Sequence, residues 1–83
     1  MEIKVLGPGC ARCQSLEKTV KEVVSALKLD IKVEEIKDMK QIMQYSILMT
    51  PGLVINGKVV MSGKVPSRAE VERHIMNALD AEG

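Results

Sequence analysis

A chain of 83 residues, 46% of them apolar, has material for one hydrophobic core and not for two, so residues 1–83 are expected to form a single domain. Lys and Arg number 12 against 11 Asp and Glu, a net charge of +1 without a clustered basic stripe, which argues against a nucleic-acid partner. No apolar run reaches membrane-spanning length, and the opening residues lack the apolar stretch of a secretory leader, so no membrane is expected and the cytosol is the expected compartment, with a monomer as the expected state.

The segment Glu2-Ile3-Lys4-Val5-Leu6 reads as a strand with Ile3 and Val5 on one side, ended by the breaker cluster Gly7-Pro8-Gly9. From Cys13 onward, Leu16, Val20, Val23, Val24 and Leu27 recur at helical steps, with Glu17/Lys21 and Lys18/Glu22 pairs decorating the other side as a solvated face. This predicts an amphipathic helix of about four turns. A second strand is expected from Asp30, where Ile31 and Val33 alternate with Lys32 and Glu34 in the manner of a half-exposed edge strand. Asp38 and Gln41 then resemble a capping box for a short helix carrying Met39, Ile42, Met43 and Ile47 on one face.

Thr50-Pro51-Gly52 stops that helix, and Leu53-Val54-Ile55 is an uninterrupted apolar run bounded by Asn56-Gly57, a strong signal for a two-residue hairpin. The return strand is Lys58 to Met61, closed by Ser62-Gly63. Ser67 and Glu70 supply a capping box for a last helix with Val71, Ile75, Ala78 and Leu79 as its buried stripe. The order is therefore βαβαββα, which predicts an α/β fold with a small mixed sheet flanked by helices.

The chemistry centres on Cys10-Ala11-Arg12-Cys13. Reducing conditions in the cytosol rarely keep a structural disulfide, and so short a loop would constrain little chain entropy, which leaves redox or metal chemistry. Cys13 falls within the apolar stripe of the first helix and Cys10 at its margin, so one thiol is expected buried and the other accessible. Cys10 also stands where the loop hands over to the helix, and the unpaired N–H groups and dipole there are expected to stabilise a thiolate and lower its pKa. The expected cycle is attack of the Cys10 thiolate on a substrate disulfide, followed by displacement of the reduced substrate by Cys13. Arg12 adds a charge that acts mainly on the approaching substrate. The alternative is a soft-metal module binding Cu or Zn through the same dithiol, but a closed tetrahedral zinc site needs two more ligands and only His74, flanking the last helix's stripe, is at hand.

The run Gly7-Pro8-Gly9-Cys10-Ala11-Arg12-Cys13 at a strand-to-helix junction, with Thr50-Pro51-Gly52 opening a hairpin about forty residues later and Gly63 after its second strand, resembles the thioredoxin/glutaredoxin superfamily, and its minimal redox-active disulfide proteins in particular. The resemblance implies a thioredoxin-like fold with a central four-stranded sheet. It implies a thiol–disulfide oxidoreductase whose redox group is the Cys10–Cys13 disulfide, with no other cofactor. Its partners would be disulfide-bearing proteins and a dithiol reductase or other electron donor. It further implies that Pro51 is cis and packs beside the dithiol, and that Thr50 offers backbone hydrogen bonds to an extended substrate, which would add to the protein as a strand.

Two positions depart from the thioredoxin pattern: Gly9 stands where Trp usually precedes the first cysteine, and Lys4 where an Asp is usually buried as proton acceptor. Lys4 is expected to reach solvent. The glutaredoxin features that hold glutathione, an upstream basic residue and a tyrosine within the motif, are missing from Pro8-Gly9-Cys10-Ala11-Arg12-Cys13. The methionines are expected to fill gaps in a core with a single aromatic residue, Tyr45, instead of handling copper. Tyr45 is expected half-buried at a helix end, with no assigned role.

Overall fold

The computed structural model describes residues 1–47 and 49–82. Seven elements follow in the order β1 (Ile3–Leu6), α1 (Ala11–Ala26), β2 (Val33–Ile36), α2 (Met39–Met43), β3 (Gly52–Ile55), β4 (Lys58–Ser62) and α3 (Arg68–Glu82). The four strands make one sheet in the order β2-β1-β3-β4, with β1 parallel to β2 and antiparallel to β3, and β3 antiparallel to β4. This is the expected mixed sheet.

Strand alternation divides the apolar residues between the two faces. Ile3, Val5, Leu53, Ile55 and Met61 meet Leu16, Val20, Val23 and Val24 of α1 and Val71 and Ile75 of α3 in the larger core. Leu6 and Val54 point the other way, onto Ile42 of α2. The central strand β3 is buried along its whole length, which explains why its sequence is apolar without alternation.

The ends of the elements follow from local chemistry. At the start of α3 the Glu70 N–H donates to Ser67 Oγ at 3.2 Å and the Ser67 N–H donates to Glu70 Oε1 at 3.3 Å, the reciprocal box read from sequence. At α2 only half of a box forms: Asp38 Oδ1 accepts from the Lys40 N–H at 3.1 Å, and Gln41 makes no return bond. The β3–β4 turn places Asn56 at φ 52° and Gly57 at φ 80°, as a type I′ hairpin requires. Asn56 also ties the hairpin to β1, since its N–H donates to the Glu2 carbonyl at 2.8 Å while its Oδ1 accepts from the Glu2 N–H at 2.9 Å. In β4, Leu53 pairs Met61 and Val54 pairs Val59, which leaves Val60 as an extra, bulged residue.

α1 ends in a Schellman arrangement built on a lysine. Lys28 takes φ 56°, its N–H donates to the Ser25 carbonyl at 3.0 Å, and the Leu29 N–H donates to the Val24 carbonyl at 3.1 Å.

Two expectations need correction. β2 begins at Val33, not near Asp30, because β1 starts at Ile3 and the parallel register sets Ile3 opposite Val33; earlier residues have no ladder partner. Ile31 still packs on the larger core. The methionines are mostly not core: Met39, Met43, Met49 and Met76 are exposed, Met43 to 69%, and Met61 at 7% is the one buried in the sheet. α2 is only five residues long, so Ile42 alone faces inward and Met39 and Met43 fall on its outer side. No helix among the described residues is long and apolar enough to cross a membrane.

Candidate active site

Strand β1 delivers the chain to Gly7-Pro8-Gly9, and α1 begins immediately afterwards with Cys10 as its N-cap. Cys10 has extended backbone angles, φ −69° and ψ 167°, and its Sγ accepts from the Cys13 N–H at 3.3 Å, the part a Ser or Asp side chain plays at other helix starts. No acidic side chain lies in the first turn, so the positive end of the helix dipole is not neutralised from within α1.

Cys10 and Cys13 are joined in a disulfide, their Cα atoms 5.1 Å apart. Cys10 is exposed, whereas Cys13 is 5% exposed. The difference follows from the helix: Cys13 starts the stripe that continues with Leu16 and Val20 into the larger core, and Cys10 precedes it at the rim. The Cys13 sulfur fills the space over Gly7, where a Cβ would overlap it and come within 2.9 Å of Cys13 Cβ. Gly9, at φ 98°, takes a backbone conformation open to glycine and strained for other residues.

Pro51 reaches this spot from the other side. It is buried, its peptide bond with the half-buried Thr50 is cis, and its Cα is 4.0 Å from where a Gly7 Cβ would lie. Its carbonyl accepts from the Gly63 N–H at 2.8 Å, and the Gly63 carbonyl accepts from Arg12 Nη2 at 3.3 Å. Gly63 thus links the dithiol helix to the Pro51 loop, and Arg12 is turned across the site toward the end of β4. Cys10, Arg12, Cys13, Thr50 and Pro51, widely separated in sequence, are brought to one end of the sheet.

Lys4 is not part of this cluster. It shares a sheet face with Leu6 and Val54, opposite the face covered by α1, and instead of running free into solvent it donates to Glu2 Oε1 at 3.2 Å and to the Tyr45 hydroxyl at 3.4 Å. The bond to Glu2, and next the one to Tyr45, push its pKa above the ordinary lysine value. His74 lies in the groove between β4 and α3, beside Asn56 and Val60, and is not brought to the cysteines. Among the described residues no group of three or more His, Cys, Asp or Glu is arranged to hold a metal ion.

One feature of the site is invisible in the motif. A cavity of about 20 Å³ lies beside Cys13, lined also by Val5, Gly7, Gly9, Gln14, Glu17, Glu35 and Lys37. Glu17 belonged by periodicity to the solvated side of α1, yet its side chain is only 18% exposed. The available signal was its position four residues after Cys13, which sets both on one side of the helix.

Residues 1–76 match the thioredoxin domain family model. The chain is 40% identical over 73 residues to a thioredoxin of Methanothermobacter thermautotrophicus, an alignment covering 88% of this chain and 95% of that protein. It is 28% identical over 78 residues to a thioredoxin of Methanocaldococcus jannaschii, covering 94% and 90%. With the dithiol at a strand-to-helix junction and the four-stranded mixed sheet beneath it, this chain belongs to the thioredoxin domain family and is a thiol–disulfide oxidoreductase.

Proposed function

We propose that Cys10 is the nucleophile and Cys13 the resolving thiol in reduction or exchange of disulfides on protein substrates. The observation that carries this reading is the unequal exposure of the two cysteines, one at the open N-terminus of α1 and the other buried against Gly7. In the reduced protein the α1 N–H groups and dipole favour a thiolate on Cys10, and the thiolate is the attacking species. Its attack on a substrate disulfide releases one substrate thiolate and leaves the other sulfur bonded to Cys10. Cys13 then displaces that sulfur, closing the Cys10–Cys13 disulfide and completing a two-electron reduction of the substrate.

Thr50 and Pro51 form the wall on which an extended substrate segment lies, paired through backbone groups, which gives broad sequence tolerance. Arg12, held over the site by Gly63, supplies the charge met by the incoming chain. The cycle returns to the dithiol through a dithiol reductase or another electron donor in the cytosol, and the protein acts as a monomer without a further cofactor.

The test is turnover of a protein disulfide by the parent chain and by Cys10→Ser and Cys13→Ser variants. The Cys10 variant is expected to be inert and the Cys13 variant to accumulate a mixed disulfide on Cys10, seen by mass spectrometry. Tight stoichiometric binding of Zn²⁺ or Cu(I) by a protein unable to turn over disulfides would instead favour the metal module.

A further inference from the structure

Cys13 is only 5% exposed in the disulfide, so its sulfur has little direct access to bulk water, and burial disfavours the thiolate it must become once reduced. Yet Cys13 must be a thiolate when it attacks. The cavity beside it has room for one water molecule, at about 20 Å³. Of the residues around that space, Glu17 and Glu35 are the ones whose side chains carry a carboxylate, with oxygens able to accept a hydrogen bond and then a proton from a water.

The two carboxylates are not equivalent. Glu17 follows Cys13 by one turn of α1, and a helical side chain leans back over the turn before it, here the turn that carries Cys13. It is 18% exposed and held by Lys21 Nζ at 2.6 Å. Glu35 faces the cavity from β2, where its register partner is Val5, but it is 30% exposed and drawn outward by Lys37 Nζ at 3.1 Å. The remaining charged groups near Glu17 are Lys18 and Glu22 of α1 and Arg68 of α3, which line the open groove outside the cavity together with Glu17 and Lys21.

We propose that Glu17 is the acceptor, through a water in this cavity, of the proton that Cys13 loses when it resolves the mixed disulfide. The inference rests on the assignment of Cys13 as resolving thiol. In the step, the Cys13 S–H bond breaks and its proton passes to the Glu17 carboxylate. The Cys13 sulfur forms its bond to Cys10, the Cys10–substrate bond breaks, and the substrate sulfur departs with the electron pair to be protonated by solvent. Cys10 and Cys13 are oxidised and the substrate is reduced. Glu17 then releases its proton to the groove it also lines.

The experiment is stopped-flow reaction of the reduced full chain with Ellman's reagent, an aromatic disulfide that releases one coloured thiolate on attack by Cys10 and a second on resolution by Cys13. In Glu17→Gln the second phase is expected to slow on the order of 10²-fold near neutral pH and to recover as pH rises and hydroxide replaces the carboxylate, while the first phase is unchanged. Glu35→Gln is expected to leave both phases near those of the parent. An unchanged second phase in Glu17→Gln, equal slowing of both phases, or transfer of the loss to Glu35→Gln would each overturn the assignment. Cys10→Ser and Cys13→Ser separate this from the premise: release of the first thiolate by Cys10→Ser would defeat the assigned thiol roles, whatever Glu17 does.

Discussion

Gly7 and Cys13 share one space: the sulfur of Cys13 occupies the position that a side chain on Gly7 would need. The loop before the dithiol therefore passes so close beneath it that only a hydrogen fits at residue 7. Pro51 Cα lies 4.0 Å from the same point, at van der Waals contact. Gly7→Ala is expected to destabilise the oxidised protein by about 1–3 kcal/mol, the range for overpacking a buried site. The urea midpoint of the oxidised form measures it, and a change within about 0.5 kcal/mol of the parent would show that the loop yields.

The capping box of α3 makes part of the stability depend on pH. The Ser67 N–H, and then Lys64, hold the Glu70 carboxyl below the ordinary carboxylate range. A folded-state pKa lower than the unfolded one gives stabilisation that is present above the unfolded value, about 4.3, and is lost as pH falls through the lower folded value. The parent is thus expected to lose its advantage over Glu70→Gln on acidification, with the two denaturation midpoints converging below pH about 4. A gap that stays constant from neutral to acid pH would contradict this.

The left-handed residue that ends α1 offers a gain. Lys28 at φ 56° adopts a conformation in which a side chain costs about 1–2 kcal/mol, partly offset in a glycine by its greater unfolded-state entropy. Lys28→Gly is expected to raise stability by about 0.5–1 kcal/mol, read from the thermal or urea midpoint, with turnover unaltered because the position lies at the other end of α1 from Cys10.

Exposure separates methionines that composition treats alike. Met43 on the outer side of α2 is 69% exposed, and Met43→Gln is expected to stay within about 0.5 kcal/mol of the parent. Met61, 7% exposed on the larger core, is expected to cost about 2–5 kcal/mol on truncation to Ala. Equal losses at the two positions would reverse this assignment of the core.

These methionines also mark where the sequence stops being legible. Leu53-Val54-Ile55 with Asn56-Gly57, and the Ser67/Glu70 box, are local signals whose chemistry determines the structure by itself, and both appear in the fold as read. The start of β2 is not local. It depends on where β1 begins to pair, which moved the start of the strand to Val33, while Glu35 continues the alternation of Ile31 and Val33 opposite Val5. Met39 and Met43 have helical spacing, but a helix of five residues presents too little surface to bury three side chains on one face.

The site divides the same way. The dithiol and Pro51 are visible as motifs. The contacts of Arg12 with Gly63 and of Gly63 with Pro51 depend on how α1 and β4 end against each other, and the cavity that Cys13 and Glu17 share is completed by Val5 of β1 and Glu35 of β2, which no local pattern announces.

The bulge at Val60 bears on a hazard particular to an enzyme proposed to receive extended peptides. An open sheet has two rims, and a rim that offered an uninterrupted ladder would capture unfolding or unfolded chains indiscriminately. On β4 the extra residue breaks the ladder between Val59 and Met61, so an intruding strand could keep register on only one side of it. On β2 the outward rim belongs to a strand of four residues whose middle pair is Glu34 and Glu35. Both rims of the sheet are thus interrupted or charged, which disfavours edge-to-edge pairing of this protein with extended chains or with its own copies.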